Sequence, residues 1–325
     1  FFSSRRRHTR FRNVTGVQTC ALPIFGGGHG LAATLSALRR LTKNITAIVT
    51  VADNGGSSGR LREEFNSLPP GDLRMALAAL CSDDEWGRSW AQTLQYRFTS
   101  DGSLNNHALG NLLLTALWDR DGDPVAGISK VGELLKIVGQ VLPMALTPLD
   151  IEGAFEIDGK EEKVRGQIQV ATAKGEIKSL NLIPENPVTT PQSISAINEA
   201  DFLTIGPGSW FSSVMPHFLA REQATAITKT KAKKIVILNL PESDLAGEFA
   251  GNTASDHLKF ILSHVPDFRM DFAIADPKVR NQDGELEKLV SEMGGKLLNG
   301  DLADKNGQNH HDISKLTSIF SHIFP

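Results

Sequence analysis

Three features of the 325-residue chain predict an α/β fold: a mostly parallel sheet with helices on both faces and a β-rich insertion. First, the buried strand Ile45–Val51 stops at Asp53 and empties into Asn54-Gly55-Gly56-Ser57-Ser58-Gly59, followed by Arg60 and Arg62. Second, Phe202-Leu203-Thr204-Ile205 repeats the device, ending in Gly206-Pro207-Gly208-Ser209 before a helix. Apolar strands that end in small-residue loops build ligand crevices at the carboxyl edge of open α/β sheets. Third, from Gln140 to about residue 183 the pattern changes to short, alternating strands.

The composition is that of a globular protein, with 40% hydrophobic and 22% charged residues. No apolar run approaches the roughly 20 residues needed to span a bilayer. Two cysteines fit a reducing compartment better than a disulfide framework. Residues 1–24 carry five arginines and no acid, and resemble a translated sequencing adapter. They are expected to be a non-native leader, with residues 25–325 forming a single domain. The formal charge of the whole chain is −3; without those five arginines the remainder carries −8. An acidic body with no basic stripe argues against nucleic-acid binding.

Gly26-Gly27-Gly28-His29-Gly30 precedes Leu31, Leu35 and Leu38, which are spaced for one helix face. This is a strand–turn–helix entry to a nucleotide fold, with Ala21–Phe25 the candidate strand despite Pro23. Backbone N–H groups in such a loop can approach phosphate, and His29 reads as a polar loop side chain. The Asp53–Arg62 stretch offers N–H groups, the Ser57 and Ser58 hydroxyls, a carboxylate for metal or hydroxyl, and two guanidinium groups. Asp72 reads as the N-cap of a helix over Leu73–Cys81, with a ligand role left open.

Asn105-Asn106-His107, with Gly110 and Asn111, opens the next helix; amides and imidazole suit polar, uncharged ligand groups. Short strands are expected over 141–147, 149–156, 162–173 and 177–182, with Asp158-Gly159-Lys160 as a hairpin turn. Ser209, Ser212 and Ser213 can donate to phosphate at a helix N-terminus. Asn239 ends a buried strand. Asp256 and His257 are first-turn residues or ligand contacts, and His310-His311-Asp312 reads as a solvated cap for the terminal helix rather than a metal site. Neither the P-loop motif nor the dinucleotide fingerprint occurs, which excludes a P-loop NTPase and makes an NAD(P) dehydrogenase the weakest reading.

GGGHG, TVADNGGSSGRLR, LPPGDLR, HALGNLLL, GQVLPM, INEADFLTIGPGSWFSSVMPHFL and TASDHL follow one another in the order of the gluconeogenesis factor family (YvcK/YbhK type). That family is similar to CofD, a phospholactate transferase. The resemblance implies a Rossmann-like fold, a cytoplasmic bacterial protein and a UDP-sugar or related nucleotide ligand. It also implies a role in morphogenesis and envelope homeostasis under gluconeogenic growth. By the same resemblance, Gly26–Gly30 and Gly206–Ser209 surround the nucleotide, and Asp53 and Asn54 lie near metal and acceptor. Asn106, His107 and Asn111 match a polar pocket segment. Asn252 stands where the family often has an aromatic residue. The alternative is a Mg²⁺-dependent phosphoryl-type transferase, with Asp53 on the metal and Arg60 or Arg62 on the transferred group. Catalysis, the Mg²⁺ cofactor and a homo-oligomeric state are left open.

Overall fold

The computed structural model describes residues 20–173, 175–241, 253–304 and 310–324. The first half of the chain runs β1 (Leu22–Gly26), α1 (Gly28–Leu38), β2 (Ile45–Val49), α2 (Gly56–Phe65), α3 (Gly71–Leu80), α4 (Glu85–Gln95), α5 (Leu109–Asp121) and α6 (Pro124–Leu135). Next come β3 (Gln140–Pro143), β4 (Asp150–Ile157), β5 (Lys160–Arg165), α7 (Gln167–Thr172) and β6 (Glu176–Ile183). After α8 (Pro191–Asn198) and β7 (Phe202–Ile205), a π-helical turn (Trp210–Val214) leads into α9 (Met215–Leu219), α10 (Arg221–Lys229) and β8 (Lys233–Ile237). The chain finishes with α11 (Ala254–His264), β9 (Phe272–Ala275), α12 (Pro277–Gln282), α13 (Leu286–Glu292), β10 (Lys296–Asn299) and α14 (Ile313–Ile323).

Seven strands form one parallel sheet in the order β10-β9-β8-β7-β1-β2-β3. The strands are short apolar runs rather than alternating ones, as a sheet covered on both faces requires. From β1 the chain steps to β2; from β7 it steps the other way, to β8, β9 and β10. Right-handed crossovers in opposite directions put their helices on opposite faces, so β1 and β7 flank the topological switch point. Phe25 pairs with Ile205, and the ladder continues from Gly206 N–H to Phe25 O at 3.1 Å. The glycine loops after β1 and β7 therefore leave the sheet side by side.

The expected fold class holds, with local differences. β1 begins at Leu22 and is wholly buried, so the boundary drawn after residue 24 passes through a core strand. Residues 1–19 lie outside the described residues. β3, expected to open the insertion, instead pairs with β2 at the edge of the main sheet, because Gln140–Pro143 continues its parallel ladder. The second sheet is the antiparallel set β5-β4-β6. Its β4–β5 turn, Asp158 (φ 51°) and Gly159 (φ 75°), has the two positive φ values of a tight hairpin. Gly166, at φ 107°, turns the chain out of β5, and Gln167–Thr172 coils into α7 where a strand was expected.

Candidate functional site

A cavity of about 590 Å³ opens at the switch point, where the loops after β1, β2 and β7 converge. Gly27–Gly30, Asp53, Gly55 and Asp72 line one side; Pro207–Ser209, Ser212, Ser213 and Asn239 line the other. Residues of α7 and the pair His310 and His311 complete its wall.

Close packing dictates the glycines here. A Cβ on Gly30 would sit 2.3 Å from Pro207 O, and one on Gly27 would sit 2.3 Å from Asp72 Oδ2. Gly28 has φ 59°, in the region that glycine enters at least cost. Gly27 is the extended N-cap of α1, with no side chain to satisfy the first turn. The N–H groups of a helix's first turn and the positive end of its dipole suit an anion.

Two carboxylates meet this loop. Asp53 Oδ1 accepts the Gly55 N–H at 2.9 Å, an Asx turn that starts α2. Asp72 is not the cap of α3: Pro70 holds that position, and the Asp72 carboxylate takes the Gly28 N–H instead. Burial, then the neighbouring Asp53 charge, push the Asp72 carboxyl up to about 7. No Lys or Arg lines the cavity among the described residues. Arg74 lies behind it, 3% exposed, with Nε and Nη1 lacking hydrogen-bond partners. Burial and Arg97 lower its pKa to about 10, against the opposing pull of Asp72 and Asp53. It remains a cation at neutral pH.

The second loop is held from β8. Asn239 Nδ2 donates to Gly208 O at 3.0 Å and Gly208 N–H donates to Asn239 Oδ1 at 3.1 Å. Ser209 caps the π-helical turn, and its hydroxyl bonds that of Ser212. Gln167 Nε2 donates to Ser212 Oγ at 3.0 Å, tying α7 to this loop. Asn54 ties α7 to the other, accepting from Ile168 N–H at 3.4 Å and donating to Gln169 Oε1 at 3.4 Å.

Gly27, Gly28, His29, Gly30, Asp53, Gly55, Gly208 and Ser209 thus share the cavity; Gly26 and Gly206 lead into it as the last sheet-level residues. The remaining candidates are engaged elsewhere. Ser57 Oγ lies 3.0 Å from His107 Nδ1 and accepts from Asn111 Nδ2 at 3.0 Å and Ala108 N–H at 3.4 Å, a buried knot between α2 and α5. Asn111 faces Ser57 rather than the cavity because its position in the first turn of α5 is packed against α2. Ser58 is buried beside Gly71. Arg60 donates to Ser103 O (3.1 Å) and Asn105 O (2.8 Å); Arg62 donates to Leu149 O (2.9 Å) and pairs with Asp150 at 2.6 Å. Asn106, at φ 62°, sits in an exposed turn whose carbonyl accepts from Arg97. Asn252 lies outside the described residues.

Gln167, Ile168, Ala171 and Thr172 were missed because Gln-Ile-Gln-Val alternates like a strand; the break at Gly166 was the available signal. Of the expected solvated cap, Asp312 does cap α14 by accepting the Lys315 N–H and His310 is exposed, whereas His311 is buried. Yet His310 stacks on His29, with ring centroids 5.5 Å apart. Burial, His310 and Arg74 together lower the His29 pKa. His311 is buried, with Nε2 3.2 Å from Leu238 O. No group of three or more His, Cys, Asp or Glu forms a metal cluster among the described residues. Nor is any described helix long and apolar enough to cross a membrane.

Comparison with known proteins bears on the same stretch of chain. The family model described as 2-phospho-L-lactate transferase CofD matches residues 23–313. A Mycobacterium tuberculosis protein, provisionally named gluconeogenesis factor, is 42% identical over 313 residues, covering 94% of this chain and 90% of its own. The gluconeogenesis factor of Listeria innocua is 39% identical over 316 residues, covering 93% and 95%. The crystal structure of a UPF0052-family member from Bacillus halodurans superposes with a TM-score of 0.81 at 33% identity, over 93% of this chain and 99% of that one. The match runs from β1 through both loops to the start of α14, and the chain belongs to the CofD family, in the group whose members are named gluconeogenesis factors.

Proposed function

We propose that the protein binds a nucleotide sugar of the UDP-sugar type at the switch-point cavity. One observation carries the reading: two small-residue loops at adjacent strand ends bracket a cavity beside the N-terminus of α1. Backbone N–H groups, Ser209, Ser212 and Ser213 are donors of the kind that bind a diphosphate. The cavity volume falls in the range of small-molecule sites, about 300–1,000 Å³. The relatives' name and the motif resemblance extend the proposal to a cytoplasmic regulator of envelope synthesis and cell shape under gluconeogenic growth.

The two acids qualify the electrostatics. A diphosphate brought to Asp53 and Asp72 is repelled unless a cation or a proton intervenes. Asp53 and Asp72 are hard oxygen donors and would hold Mg²⁺, which would neutralise charge on the phosphates. Titration calorimetry with UDP-N-acetylglucosamine and UDP-glucose, with Mg²⁺ and with EDTA, tests the proposal. Measurable heat and a raised melting temperature are expected; neither with any nucleotide sugar would sink it.

The acid pair also favours a second reading, transfer of a phosphorus-containing group. It predicts metal-dependent release of the nucleotide product, abolished by Asp53→Asn while binding in EDTA persists. Turnover indifferent to that change would reject it.

A further inference from the structure

The insertion meets the cavity through one short helix whose two faces differ. Val170 of α7 points inward and is 1% exposed; Ile168, on the opposite side, is 50% exposed and lines the cavity with Ala171. An isoleucine turned toward a polar loop leaves half of its surface in water in the folded chain alone, apolar area that a ligand could cover. Its position is nevertheless fixed. Gly166 sets the corner, Asn54 accepts the Ile168 N–H, and Gln167 donates to Ser212. Gly55 lacks a Cβ that would lie 3.4 Å from Ile168 Cδ1, so the side chain rests directly over the Asp53 loop. Thr172 Oγ1 is committed to Ile168 O at 2.8 Å and Gln167 Nε2 to Ser212 Oγ at 3.0 Å, so the polar groups that α7 brings to the cavity are engaged within the chain.

We infer that Ile168 and Ala171 form the face against which a ring of the bound ligand packs, so that α7 selects what the phosphates carry. The inference rests on the nucleotide-sugar reading and adds the determinant of its selectivity. The donors offered to the phosphates belong to the two loops, and α7, tied to both by hydrogen bonds, brings Ile168 and Ala171 to the same cavity. Binding sites combine a few placed polar groups with an apolar wall, and α7 supplies the wall. The shared chemistry is a ring with an apolar face, from either the nucleobase or the sugar.

Calorimetry on wild type, Ile168→Gln, Ile168→Ala and Ile168→Leu, with Mg²⁺ present, separates these. The probes are UDP-N-acetylglucosamine, UDP, N-acetylglucosamine 1-phosphate and pyrophosphate. Ile168→Gln and Ile168→Ala are expected to weaken UDP-N-acetylglucosamine at least tenfold, with pyrophosphate affinity changed less than twofold, and Ile168→Leu to restore it. Parallel weakening of UDP makes the ring the base; parallel weakening of N-acetylglucosamine 1-phosphate makes it the sugar. Unchanged affinities, or an equal loss for pyrophosphate, overturn the inference. Ile168 is half exposed, so melting temperatures of all variants should match wild type. If wild type binds none of the organic probes, the nucleotide-sugar reading falls and takes this inference with it.

Discussion

Asn239, just past the end of β8, grips Gly208 by both its N–H and its carbonyl, at 3.1 and 3.0 Å. A carboxamide paired in this way behaves like one more rung of the sheet, extending β8's hold to a loop that emerges from β7. Replacing Asn239 with Ala removes two hydrogen bonds worth about 1 kcal/mol each. The Gly206–Ser209 loop then gains freedom that a ligand must remove on binding. The expected result is an affinity for UDP-N-acetylglucosamine lower by about tenfold, with a melting temperature reduced by a few degrees. Calorimetry and thermal melts of the same preparation check both.

Ser57→Ala should do the reverse. The hydroxyl serves Asn111 Nδ2, Ala108 N–H and His107 Nδ1 in a buried knot, and its loss leaves donors without an acceptor. An unsatisfied buried group costs about 1–3 kcal/mol. Stability in urea should fall by about that much, while ligand affinity changes less than twofold. A loss of affinity with unchanged stability would return Ser57 to the ligand site.

These two residues mark how far the sequence could be read. Small residues at strand ends identify loops that approach something closely, and both loops do meet at the cavity. Composition alone does not say which side of the backbone each polar group faces. Ser57, His107 and Asn111 suit a ligand as well as they suit each other, and the packing of α2 on α5 decides in favour of each other. Asp72 has a cap residue's chemistry and spacing, but Pro70 occupies the cap and the carboxylate reaches Gly28. Helix α7 was hidden by period-2 alternation in a segment too short to show a helical period.

Asp72 should make stability and cation binding respond oppositely to pH. Its folded pKa, about 7, lies above the usual carboxyl value, so folding favours the protonated form. That contribution is fully present below about pH 4 and is lost as pH rises through 7. Asp72→Asn should therefore raise the melting temperature most at pH 8, by less at pH 5, and leave it nearly unchanged at pH 4. In wild type, Mg²⁺ affinity should rise between pH 6 and 8 as the carboxyl ionises, and Asp72→Asn should abolish the rise. Melts and metal titrations at three pH values suffice.

Buried histidines impose the opposite slope on the acid side. Burial lowers His217, His257 and His311 to about 4, so each is neutral in the folded protein near neutrality. A histidine with a depressed folded pKa contributes stability above its unfolded pKa of about 6.5, and this is lost as pH falls toward 4. Three such groups outweigh the single Asp72, which pulls the other way over this range. Urea midpoints should fall from pH 6.5 to 4.5. His217, which packs edge-on against Phe25 with centroids 5.2 Å apart, is the one to replace. His217→Phe should flatten the slope, and an unchanged slope would exclude His217 as a contributor.

The glycines of the first loop fail for different reasons, and the difference is measurable. Gly28 has φ 59°, but a Cβ there meets no atom within 4 Å. Gly28→Ala should cost roughly 1–2 kcal/mol of backbone strain and leave the sheet edge where it is. Gly30 has no such φ constraint, yet its Cβ would lie 2.3 Å from Pro207 O, 2.6 Å from Pro207 C and 2.9 Å from Gly208 N. Those atoms are backbone, anchored by Asn239 on one side and by the Gly206 N–H bond to Phe25 on the other, so no rotamer change relieves the clash. The two loops must separate. Overpacking of this kind costs about 1–3 kcal/mol, similar to the Gly28 change, but here the displacement falls on the groups that cradle the phosphates. Gly30→Ala should consequently lose on the order of a hundredfold in nucleotide-sugar affinity, since misplacement by about 1 Å defeats hydrogen bonds of 2.7–3.2 Å. Equal affinities for the two variants would mean that the ligand does not sit between these loops.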